Sequence, residues 1–223
     1  MISSSLLKFL SALENHNDRD WFEEHKAEFK EHQETFKKFN QELLIKMNAH
    51  DELEGMKIFR IYRDVRFSKN KAPYKTHFAS SFKRVKPAYR GGYYMQIKPG
   101  SSFIATGFWD PVKEDLLRIR KELELDASEF QEIVTNETFV KKWGSLEGDE
   151  VKTAPKGFAK EHENIALIRK KQFIFTKSFS DKEVTSTNFI DQVNESFKAI
   201  RPFFDYMTEV LTTDLNGVSL IDR

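Results

Sequence analysis

The chain has 223 residues, no cysteine and a formal net charge of +1. That length allows one large domain or two small ones. The absence of cysteine excludes disulfides, thiolate nucleophiles, cysteine-ligated zinc and iron–sulfur clusters, and the balanced charge excludes a global electrostatic drive toward nucleic acid or membrane. Hydrophobic residues at 39% and charged residues at 32% fit a soluble globular chain, and twenty-one phenylalanines predict an aromatic-rich core. The first ten residues lack the basic stretch and long apolar core of a secretion signal. No stretch approaches the roughly 20 apolar residues that span a bilayer. The expectation is a cytoplasmic protein with no membrane association.

Residues 3–49 read as helical. Leu6, Leu7, Leu10 and Leu13 recur at helical spacing behind serine caps. Asn15-His16-Asn17-Asp18 breaks the pattern, and Asp18 or Asp20 can cap the next helix. Trp21, Phe22, Phe29, Phe36, Phe39, Leu43 and Met47 then form one apolar stripe. From Lys57 the period changes to two: Phe59, Ile61, Val65 and Phe67 alternate with Arg60, Tyr62, Asp64 and Arg66, and only Arg63 interrupts the apolar side. This predicts a strand with one buried face. A helix through Ile58, Ile61, Tyr62 and Val65 is the competing reading. Residues 68–73 read as a loop.

Further strands are predicted over 76–85, 93–98 and 103–108, the last two flanking a hairpin turn at Pro99-Gly100-Ser101-Ser102. Helix returns over 112–136, with Pro111 in a first-turn position and a restart at Asp126-Ala-Ser-Glu129. Residues 152–157 form a loop, and 172–179 a strand with Phe173, Phe175 and Phe179 on one face. An amphipathic helix from Phe189 to Leu211, kinked or restarted at Pro202, closes the pattern. The predicted class is α+β: a single domain over 1–223, without a separable linker, in which an antiparallel or mixed sheet is flanked by N- and C-terminal helices.

The segment from Arg60 to His77 concentrates charge. Arg60, Arg63, Arg66, Lys69, Lys71 and Lys75 face one acid, Asp64. Trp21-Phe22 with His25-Lys26, then Arg60-x-x-Arg63-Asp64-x-Arg66-Phe67-x-x-x-Lys71-x-Pro73-Tyr74-Lys75, resembles the family catalogued as domain of unknown function 2461. Gly107-x-Trp109-x-Pro111 with Leu116 and Arg120, and Pro155-x-Gly157, fit the same pattern. The resemblance covers nearly the whole chain and implies a single soluble domain. It implies no activity and no catalytic residue.

Two readings of the basic segment arise from its chemistry. In the first, Arg60, Arg63, Asp64, Arg66, Lys71, Tyr74, Lys75 and His77 line an anion-binding cleft for a phosphate or carboxylate ligand, with Asp64 orienting the guanidinium groups. In the second, the Arg-Asp run is a buried charge network within an interaction or structural module, and Arg63 locks strand to helix. A metal-dependent nuclease is a third reading, built on Asp64 with Gln96-Ile-Lys98; a lone Asp is a poor magnesium site. His25 and His32 lie seven apart, the wrong spacing for a ligand pair. No phosphate-binding loop, dinucleotide fingerprint or nucleophile elbow occurs, so no cofactor or metal is expected. Net charge does not favour nucleic acid as a partner, and any anion site must be local. Tyr93, Tyr94, Phe103 and Trp109 offer either a stacking surface for rings or ordinary strand packing.

Overall fold

Ser3 accepts a hydrogen bond from the Leu6 N–H (3.3 Å) and starts helix α1, Ser4–Asn15. Asp18, one of the two aspartates expected to cap, accepts from the Trp21 N–H (2.9 Å) and starts α2, Arg19–Glu24. The stripe anticipated from Trp21 onward is interrupted at His25. Its ring stacks on Trp21 (3.9 Å between centroids), and its Nδ1 donates to the Trp21 carbonyl (2.8 Å). Helix α3, Lys26–Met47, then buries Phe29, Phe36, Phe39, Leu43 and Met47 along one side. The computed structural model describes residues 1–214 and 216–221.

Five strands follow in chain order across one antiparallel sheet: β1 (Leu53–Ile58), β2 (Phe78–Arg84), β3 (Gly92–Ile97), β4 (Ser102–Phe108) and β5 (Phe173–Phe179). The three strands expected near 76–108 are present, and the hairpin between β3 and β4 closes through Ser101 N–H donating to the Lys98 carbonyl (3.0 Å). The strand expected over 59–67 is not. The edge strand ends at Ile58, and 59–77 is irregular apart from one antiparallel bridge between Tyr62 and Tyr74. The helical alternative for this segment is not realised either. The alternation misled because only Ile61 of the four apolar residues is fully buried; Phe67 is 96% exposed. Past Phe59 the Arg63 and Ser68 N–H groups close the segment on itself, and Pro73 has no N–H to extend a ladder.

In the second half, the helix expected over 112–136 is two: α4 (Lys113–Leu125) and α5 (Ser128–Thr135), followed by an unanticipated α6 (Glu137–Trp143). Pro111, expected in the first turn, lies outside α4, one residue before its N-cap Val112. Short helices α7 (Ile165–Ile168) and α8 (Asp181–Val184) flank β5, and Ser180 with Glu183 forms a capping box on α8. The closing helix does restart near Pro202, as α9 (Phe189–Ala199) and α10 (Arg201–Thr212). The observed class is α+β, with helices at both ends of the sequence.

The chain gathers into two compact units, each discontinuous in sequence. Residues 1–82, 94–104 and 178–195 form the first; 83–93, 105–177 and 196–223 form the second. Strands β2, β3, β4 and β5 each contribute residues to both. The phenylalanines divide accordingly. In the first unit Phe78 stacks on Phe29 (5.9 Å) and Phe36 (5.4 Å), and Phe189 meets Phe39 (5.6 Å) and Phe179 (5.2 Å). In the second, edge-on contacts dominate: Phe175 with Phe139 (5.0 Å) and Phe203 (5.1 Å), and Tyr93 with Phe197 (4.8 Å) and Phe204 (5.2 Å). Each such pair adds roughly 0.5–1.5 kcal/mol beyond the burial of its area.

One glycine is required by this packing. Gly107 lies at φ +123°, and a Cβ there would sit 2.0 Å from the Phe173 carbonyl oxygen of β5. Backbone on a neighbouring strand cannot withdraw like a side chain. Gly107→Ala is therefore expected to destabilise the protein by at least about 2 kcal/mol, read as a lowered midpoint in urea denaturation followed by tryptophan fluorescence.

Candidate functional site

The basic segment folds as a stapled loop. At its stem the Arg63 N–H donates to the Pro73 carbonyl and the Lys75 N–H to the Ile61 carbonyl (2.8 Å each). The side-chain amide of Asn17, in the turn between α1 and α2, grips Tyr74 like a piece of strand. Its Nδ2 donates to the Tyr74 carbonyl and its Oδ1 accepts from the Tyr74 N–H, both at 3.0 Å. The Tyr74 ring stacks on the fully buried Phe22 (4.0 Å). The stem is thereby fixed to the helical layer, and its exit at Lys75-Thr76-His77 feeds β2.

Sorting the eight predicted site residues by what they touch divides them into three groups. Arg63, Lys71 and Tyr74 hold the loop. Arg63 donates to the Ala72 carbonyl (3.0 Å) and the Ser68 hydroxyl (3.4 Å), and Lys71 donates to the Val65 carbonyl (3.0 Å). Asp64 and Arg66 form a two-pronged pair (3.0 and 2.7 Å) that lowers the Asp64 pKa and raises that of Arg66. The pair is exposed, with the Arg66 side chain 77% accessible, which overturns the buried charge network. Arg63 has its expected partners, but they are loop oxygens and not a helix carboxylate, so it locks the loop and not strand to helix. Lys75 and His77 belong to a different surface, and the charge of Arg60 reaches both Lys75 and Asp64.

That surface is the face of the sheet opposite α3. Strand pleating turns Phe78 toward Phe29 and Phe36 of α3, so His77 and Ala79 face the other way. Phe59, one residue past β1, lies on this face, with its ring 6.0 Å from Tyr94. Two ammonium groups sit over the Phe59 ring, Lys57 at 5.4 Å and Lys75 at 5.6 Å. Lys57 and Lys75 have no ion-pair partner among the described residues, Arg60 feels the nearby Asp64 carboxylate without forming an ion pair, and Lys98 is paired with Glu14 (2.9 Å). Burial, with Arg60 and Lys57 adding to it, holds the Lys75 pKa below its ordinary value. Burial, followed by the charges of Lys75 and Lys98, pushes His77 down to about 4, leaving a neutral imidazole at pH 7.

Sequence reading missed Lys57, Phe59, Tyr94 and Lys98 as members of one surface. The signal was present as a period of two, Gly55-x-Lys57-x-Phe59 and Tyr94-x-Gln96-x-Lys98, but only the sheet shows that the two runs share a face. The nuclease constellation does not assemble. Both Asp64 oxygens are taken by Arg66, Gln96 accepts from the Tyr94 hydroxyl (3.2 Å), and among the described residues no three histidine or acidic side chains converge as metal ligands. No described helix is long and apolar enough to cross a membrane.

An α+β chain with a stapled Arg-Asp-x-Arg-Phe loop beside a cationic sheet face is the class defined by these observations. The family model described as "Conserved hypothetical protein (DUF2461)" matches residues 5–206, and the chain belongs to that family. No curated protein and no solved structure matched it.

Two measurements check this division of the segment. Arg63→Ala is expected to cost about 1–3 kcal/mol, because it strips two loop acceptors of their donor, whereas Asp64→Ala leaves the denaturation midpoint unchanged. The depressed pKa of His77 has a sign: its contribution to stability is complete above about pH 6.5 and declines as pH falls toward 4. A His77→Gln variant should show a shallower loss of stability than the wild type across that window.

Proposed function

We propose that the protein binds phosphate-bearing anions on the sheet face at Lys57, Arg60, Lys75 and His77. The observation that carries this reading is the crowding of Lys57, Arg60 and Lys75: two ammonium groups lie over one phenylalanine ring without an ion-pair partner among the described residues, and the charges of Arg60 and Lys57 help to lower the Lys75 pKa. The more buried arginines elsewhere have partners. Arg84 donates to the Arg90 carbonyl, Arg118 to the carbonyls of Val210 and Thr213, Arg120 to that of Lys170, and Arg169 pairs with Glu150. Crowded like charges left without a counterion raise the free energy of the empty site, and a multiply charged anion removes that cost.

The chemistry favours phosphate over a single carboxylate. Three separate cationic side chains suit a ligand with several acceptor oxygens and more than one charge. Neutral His77 adds one hydrogen-bond donor at pH 7 without adding to the charge. The loop residues Arg63 and Lys71 spend their donors on carbonyls and serve to position Lys75.

Titration with tripolyphosphate at constant ionic strength, followed by calorimetry, tests the reading. Binding should weaken roughly tenfold or more in a Lys57→Ala, Lys75→Ala double variant. Without ligand that variant should be as stable as the wild type or slightly more so, because it relieves repulsion. A bound anion should also raise the His77 pKa, seen by NMR of the imidazole. Absence of binding at millimolar tripolyphosphate would sink the proposal.

A further inference from the structure

The cationic cluster adjoins a row of rings. Phe59, Tyr94 and Phe103 follow one another on the same sheet face, with centroids 6.0 and 5.7 Å apart. Their arrangement has a local cause. The Phe59 N–H donates to the Ala79 carbonyl of β2 (2.9 Å), and Ala79 is the residue on this face between Phe59 and Tyr94. A methyl group there lets the flanking rings close over it, and Ala79 is only 3% exposed. The Tyr94 hydroxyl is directed along its own strand to Gln96.

These rings differ from the core aromatics of the same strands. Tyr93, pointing the other way, is 2% exposed and packs against Phe197 and Phe204. Phe59, Tyr94 and Phe103 are each only half-buried. Half-exposed rings beside cations form the combination on which bases stack while phosphates are neutralised.

From this juxtaposition we infer that the anion is a single-stranded nucleic acid, its bases laid on Phe59, Tyr94 and Phe103 and its backbone running past Lys57, Arg60 and Lys75. The inference rests on the anion-binding reading and adds the ligand class. Three rings offer more stacking surface than one base covers, which favours a strand over a mononucleotide. A duplex hides its base faces from side chains, which favours a single strand. A net charge of +1 leaves the attraction to the local cluster. Neutralising three phosphates gives a salt slope of roughly −2 for a single strand.

Fluorescence anisotropy with a labelled thymidine dodecamer tests it, alongside an abasic oligomer of equal charge, a duplex of the same length and thymidine monophosphate as competitor. The expected result is at least tenfold tighter binding of the dodecamer than of the abasic strand, the duplex or the monophosphate, with the stated salt slope. Tyr94→Leu and Phe103→Leu, checked for folding by thermal unfolding, should each weaken it about fivefold or more. Equal affinity for the abasic oligomer, or for the monophosphate, overturns the single-strand assignment and leaves the polyphosphate reading standing. If the dodecamer and tripolyphosphate both fail to bind, the two readings fall together. The wild-type comparisons decide the matter even where a leucine variant does not fold.

Discussion

Two hydrogen bonds from one side-chain amide hold the basic segment in place. Asn17 pairs with both backbone groups of Tyr74, doing with a side chain what a neighbouring strand would do with its backbone. Behind it, Phe22 packs flat on the Tyr74 ring. The turn that ends α1 is thus joined to the loop stem fifty-seven residues later. Lys75 and His77 inherit their positions from that joint, because they lie one and three residues beyond it. Without the pairing, the stem would present buried donors and acceptors with no partner, at a cost of about 1–3 kcal/mol for each group.

The same economy governs the cations. A guanidinium group carries five donors in a planar fork, and here most of the half-buried ones spend donors on backbone carbonyls at loop ends. Such arginines are part of the scaffold, whatever their charge suggests. Lys57, Arg60 and Lys75 stand apart because they crowd one another: the charges of Arg60 and Lys57 add to burial in lowering the Lys75 pKa. Their neighbours are rings, which attract a cation without neutralising it. A surface of this kind keeps its net charge, and that is why it is the place where an external anion has most to offer.

Much of the fold was legible in the amino-acid order. Helical stripes through Leu6 to Leu13 and Phe29 to Met47, the strands near 78–108 and 173–179, and the restart at Pro202 all come from periodicities that local chain geometry imposes. The basic segment was legible as an anomaly and misread as a strand. Alternation marks a strand only when a neighbour supplies the ladder, and past Phe59 the backbone groups of Ile61, Arg63 and Val65 pair within their own loop instead. Break points within helices were also harder to read, as at His25, where a ring stacked on Trp21 ends one helix and begins the next.

By itself the sequence determined the class of fold, the aromatic character of the core and the location of the charge. These depend on composition and on neighbours a few residues apart, which the chain order records directly. Only the tertiary structure decided which cations are scaffold and which are surface. Arg63 and Lys75 are alike in sequence, but one meets the carbonyl of Ala72 and the other a ring from the far side of the loop. It also decided that Phe59, Tyr94 and Phe103 share a face. A residue's partner across a sheet is set by strand order and register, and neither is written in the period of any single strand.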